Sequence, residues 1–218
     1  MSLAIAASVF VGFAPTYFLK AYFDGPPLSL LIHVHGLAFT AWIVLFVAQT
    51  ILVARHRVRF HRRLGTAGAA LAGVMVVLGL AAALVFARNA YAAGDTSVLG
   101  FLVIPFGDTF VFASLVAAAL VYRRRPETHK RLMLLATISL LGAAIARWPH
   151  PIFQSGNAPF FVVTDLFIAV CVVRDLVALR RVHPALVWGG LLVVGSQPVR
   201  MLLADTRPWL AFAGVLVK

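Results

Sequence analysis

The sequence predicts an all-α fold: an integral membrane bundle of about seven transmembrane helices, one domain over residues 1–218, with a cytoplasmic N-terminus. Three observations predict it. The 218 residues are 62% hydrophobic and 12% charged, with a mean hydropathy of +0.96, whereas a soluble domain is near half apolar and a quarter charged. The apolar residues fall in blocks of roughly 17–25, the length a helix needs to cross a hydrocarbon core. Basic residues then concentrate in alternate links between those blocks, which is the positive-inside bias.

The blocks lie at approximately 3–20, 29–54, 64–87, 99–122, 131–148, 159–179 and 185–203. The first has no positive n-region, and Pro15, Tyr17 and Phe18 match a small-residue cleavage site poorly, so it reads as a bundle helix rather than a signal peptide. The link after the second block holds Arg55, Arg57, Arg59, Arg62 and Arg63; that after the fourth holds Arg123, Arg124, Arg125, Lys130 and Arg131. Around the sixth come Arg174, Arg180 and Arg181. These thirteen of the 19 Lys and Arg belong to one side, so the net charge of +12 reads as orientation and contact with anionic headgroups. Nucleic acid is not an expected partner; the lipid bilayer, a membrane-protein partner or a second copy of the chain is.

The opposite links, "DGPPLS" (24–29), "YAAGDTS" (91–97) and "WPHPIFQSGNAP" (148–159), carry turn residues, and the last is long enough to fold over an opening. The single cysteine, Cys171, lies inside the sixth block and reads as a small packing residue.

A weak internal echo runs through the basic side. "HRRL" (61–64), "HKRL" (129–132) and "HPAL" (183–186) begin the third, fifth and seventh blocks. "HRRLG" followed by a basic turn and "HKRLMLLATISLLGAAIAR" resembles a family of predicted bacterial multi-pass membrane proteins of unknown function, over roughly residues 30–150. The resemblance implies the same topology in a bacterial cytoplasmic (inner) membrane, and no particular activity.

Chemistry falls on the histidines and the intramembrane charges. His33, His35 and His150 belong near the outer interface; His56, His61, His129 and His183 near the inner one. His33 and His35 differ by roughly 200° around a helix. His33 shares a small, polar stripe with Gly36 and Thr40, suited to helix packing. His35 shares one with Trp42 and Gln49, suited to a pocket wall. Asp108, Asp165, Arg147 and Arg200 lie in the outer halves of their blocks, where charges pair or line a cavity. Pro105 and Pro198, nearby, could free carbonyls toward it.

Three chemistries suit an outer polar pocket. Haem b needs two imidazoles, for which His35 and His150 serve, with His33 beside them. Zinc in an intramembrane hydrolase needs three ligands and a water, for which His35, His150 and Asp108 serve. A cofactor-free binder, transporter or assembly subunit would use the acids and arginines directly. The matched separations of His35 from His56 and His129 from His150 span roughly 31 Å of helix, too far for two haems stacked along one helix pair. At the inner interface, His61, His129 and His183 read chiefly as headgroup contacts, since neighbouring arginines repel a metal cation.

Overall fold

The structure is a computed structural model and describes residues 1–25, 27–154, 156 and 158–218. Its elements are helical throughout, with no strand among the described residues. They are α1 (Ser2–Phe13) with a π turn (Ala14–Phe18), α2 (Leu30–Ala54), α3 (Val58–Ala92), α4 (Val98–Phe101), α5 (Val103–Val121), α6 (Pro126–Ser139), α7 (Gly142–Ile145), α8 (Ala158–Leu179), α9 (Pro184–Ala204) and α10 (Arg207–Val217). The turn expected at 24–29 and the loop at 148–159 run partly outside the described residues.

Among the described residues, four stretches are long and apolar enough to cross a membrane: Leu30–Ala54, Val58–Ala92, Val98–Val121 and Pro184–Ala204. Many large apolar side chains on these helices point outward; Leu30 is 78% exposed and Leu202 77%. An apolar exterior of this extent suits lipid better than water. Helix α3, with 35 residues, is roughly 52 Å long, so its polar ends project well beyond a 30 Å hydrocarbon core.

Helix ends follow local chemistry. Ser29 caps α2 by accepting from the Ile32 N–H at 3.4 Å. Pro126 and Pro184 open α6 and α9, where a missing N–H costs nothing. His56 and Arg180 close α2 and α8 in the left-handed region, both at φ 57°. His56 is therefore an exposed helix-ending residue.

Two expected blocks are interrupted. The fourth breaks at Leu102 between α4 and α5, because Pro105 has no N–H for the Phe101 carbonyl. The fifth ends its regular helix at Ser139 and tightens through Leu140 and Leu141, whose N–H groups bond carbonyls three residues back. The seven blocks also omit α10, which is only 11 residues long. It is held at the far end of α3: Arg88 Nε donates to Leu216 O at 3.1 Å, and Trp209 Nε1 to Leu99 O at 2.9 Å.

The main core is built by Trp42, Met75, Phe112, Leu115, Leu135, Ile138, Leu141, Ile145 and Val193. Helices α2 and α3 pair, as do α5 and α6; α5 packs between α3 and α6 and also meets α9. One consequence positions the site. Contacts from Gln49 to His61, His61 to His129, Arg131 to Asp175 and Asp175 to His183 gather one end each of α2, α3, α6, α8 and α9 onto one face. The basic links thus share one end of the bundle.

Candidate functional site

At the basic end, His61 on α3 and His129 on α6 lie with ring centres 6.3 Å apart and planes at 79°. Each ring is oriented by a partner behind it. Gln49 of α2 donates Nε2–H to the His61 carbonyl at 3.2 Å, which fixes its amide and leaves Oε1 facing His61 Nδ1 at 2.7 Å. An amide oxygen only accepts, so the proton is on His61 Nδ1. His129 Nδ1 lies 2.8 Å from the Ala119 carbonyl of α5, which imposes the same tautomer. In the neutral form of each ring the lone pair is therefore on Nε2, and neither Nε2 has a hydrogen-bond partner among the described residues. This is the arrangement by which metal-binding histidines are held, with Nδ1–H tied to an oxygen acceptor.

His183, the third histidine of the echo, is oriented oppositely. Its Nδ1 accepts the Ala185 N–H at 3.1 Å, capping α9, so its ring proton is on Nε2. Its own N–H donates to Asp175 Oδ2 at 3.1 Å. Asp175 in turn takes a two-pronged bond from Arg131, Nε to Oδ2 at 2.8 Å and Nη2 to Oδ1 at 2.5 Å. Arg131 also donates to Glu127 Oε2 at 2.7 Å. Arg131 and Asp175, both buried, are residues that the sequence reading did not single out as a pair. Nothing in their spacing of 44 positions marks one.

The residues expected around an outer pocket have separate partners. His35 stacks on Phe39 at 4.2 Å and leaves Nδ1 buried without a partner. His150 is exposed; its Nδ1 accepts the Ile152 N–H at 3.3 Å. No hydrogen bond or ring contact joins His35 to His150 or to Asp108 among the described residues. His33 is exposed, and the Tyr17 hydroxyl donates to its carbonyl at 3.1 Å. Gly36 beside it admits the Tyr17 ring, which would stand 2.4 Å from any Cβ there. The stripe of His35, Trp42 and Gln49 is not one wall: Trp42 Nε1 donates to Thr137 Oγ1 at 3.3 Å in the core, and Gln49 serves His61.

Among the described residues, Asp108, Asp165, Arg147 and Arg200 form one ion pair. Arg200 donates to Asp108, to Ser196 O at 3.1 Å and to Ser196 Oγ at 3.0 Å, with its guanidinium 5.0 Å over the Phe161 ring. Gly107 makes this reach feasible, since a Cβ there would lie 2.1 Å from Arg200 Cδ. Asp165 accepts from Gln197 Nε2 at 2.7 Å. Arg147 lies over Phe13 at 5.0 Å and donates to the Ala143 carbonyl at 2.6 Å. Among the described residues, no group of three or more His, Cys, Asp or Glu gathers as metal ligands.

Comparison with protein-family models, curated proteins and solved structures finds no significant match.

Proposed function

We propose that the chain is a seven-crossing protein of a bacterial inner membrane, with a cytoplasmic N-terminus, that binds one haem b as a one-electron redox component. On this reading α1, α2, α3, α4–α5, α6–α7, α8 and α9 cross the bilayer, and α10 lies at its outer surface. The resemblance carried by "HRRLG" and "HKRLM" agrees with this topology. The site is the inner histidine pair rather than the outer set of His35, His150 and His33.

The observation that carries the reading is the shared tautomer of His61 and His129. A haem b would take two imidazoles from the protein. The rings of His61 and His129, 6.3 Å apart on two helices, would hold the haem, which would supply one-electron redox chemistry. Zinc needs at least three protein ligands, and no such group forms among the described residues. Arg62 and Arg63, which weigh against a bare cation, suit the propionates of a haem.

Purification in mild detergent with haem supplied during expression tests this. A Soret band with low-spin reduced bands, lost in His61→Ala and in His129→Ala but kept in His150→Ala, is expected. A band lost in His35→Ala or His150→Ala and kept in the inner variants would move the site outward. No Soret band with haem supplied would overturn the haem reading. The second reading, a cofactor-free binder or transporter, rests on the Asp108–Arg200 ion pair and on Asp165, which takes a hydrogen bond from Gln197.

A further inference from the structure

At the basic end, on the side of α6 that meets α9, an open groove of about 820 Å³ runs between α5, α6 and α9. Its floor is apolar, made by Leu115, Ala118, Leu132 and Leu192. Trp188 stands on its edge, 73% exposed. Its rim is polar and cationic, with Arg125, Thr128 and His183.

The charges at that rim do not cancel. Glu127, also at the rim, is already engaged: Lys130 takes Oε1 at 2.6 Å and Arg131 takes Oε2 at 2.7 Å. Arg125 has no acidic partner among the described residues, and its guanidinium only stacks 5.7 Å from the Tyr122 ring. His183 presents a donor, because Nδ1 is committed to the Ala185 N–H and the ring proton is on Nε2. An unpaired guanidinium, an imidazole N–H and a threonine hydroxyl above an apolar trough are complementary to a phosphate carrying a hydrocarbon chain.

We infer that this groove is a specific site for one anionic phospholipid. The phosphate contacts Arg125 and His183 Nε2–H, and an acyl chain lies along Leu115, Leu132 and Leu192 beside Trp188. The inference rests on the membrane reading above and not on haem. It splits the three inner histidines by tautomer: His61 and His129 offer lone pairs, and His183 offers a proton.

The test uses the full chain in nanodiscs of zwitterionic lipid doped with lipid brominated on its acyl chains. Fluorescence quenching is compared between brominated phosphatidylglycerol and brominated phosphatidylcholine. Trp188→Phe identifies the signal from the groove. Saturable quenching by the anionic lipid, with affinity about tenfold lower in Arg125→Gln, is expected from the loss of a charge-assisted contact. His183→Asn keeps the helix cap but removes the Nε2–H, and should weaken the same binding. Equal, non-saturable quenching by both lipids, unchanged in both variants, would overturn the site and leave only the ordinary lipid annulus. Failure of the chain to enter nanodiscs would instead strike the membrane reading itself.

Discussion

Gln49 and His61 hold each other by two hydrogen bonds, the amide N–H to the His61 carbonyl at 3.2 Å and the amide oxygen to Nδ1 at 2.7 Å. The pairing sets a tautomer as well as an orientation, and the tautomer decides whether His61 can act as a ligand. Replacing Gln49 with Leu keeps much of the volume and frees the ring to adopt either tautomer. Loss of a partner of this kind weakens metal binding by about 10–100-fold. Titrating haem into the apo form of Gln49→Leu, followed at the Soret band, should show that loss with the helix content unchanged. Affinity equal to the parent would mean that Gln49 only packs.

Much of the fold was legible because membrane crossing demands long apolar runs, and α2, α3, α4–α5 and α9 follow from length and composition. Helix α10 was missed since 11 residues are too few to register as a crossing. The break at Leu102 follows from Pro105, which the sequence displays, but the break at Leu140 carries no such mark. The site is a different matter. The echo of "HRRL" and "HKRL" placed His61 and His129 at equivalent helix starts, and that was the usable signal for their pairing. Their meeting depends on α5 packing between α3 and α6, and periodicity within one helix says nothing about its neighbours. The stripe of His35, Trp42 and Gln49 misled for the same reason, because its three residues face three different neighbours.

Arg131 and Asp175 should be a keystone of stability. Their two-pronged bond joins α6 to α8, and Asp175 also accepts the His183 N–H at the start of α9. Removing one partner of a buried pair costs about 3–5 kcal/mol, and Glu127, which Arg131 also holds, puts Asp175→Ala toward the low end of that range. Asp175→Ala should therefore lower the midpoint of denaturant unfolding in detergent markedly. The paired change Arg131→Met with Asp175→Leu should recover most of it, since apolar replacement of both partners is often neutral. A double variant as unstable as the single one would show that the cost comes from the helix cap and not from the charge.

Gly107 and Asp108 should behave as one unit. A methyl at position 107 would stand 2.1 Å from Arg200 Cδ, so Gly107→Ala must displace the side chain that pairs with Asp108. Overpacking of this kind costs about 1–3 kcal/mol. Because the displaced arginine also loses Asp108, adding Asp108→Asn to Gly107→Ala should cost much less than the sum of the two separate changes. Additive effects in a double-variant cycle would mean that the arginine reaches Asp108 by another path.

Glu127 supplies an acid-sensitive contribution at the basic end. Hydrogen bonds from Lys130, and then from Arg131, hold its carboxyl below the usual carboxylate range. A carboxyl depressed in the folded state stabilises fully above its unfolded value, and that stability is lost as pH falls through the depressed folded value. The side chain is 56% exposed, so solvent screening keeps the effect below about 1 kcal/mol. Unfolding midpoints measured from neutral pH into the acidic range should fall more steeply for the parent than for Glu127→Gln, so that the parent's advantage at neutral pH narrows as pH falls. Parallel curves across that range would show that the carboxylate contributes nothing to the folded state.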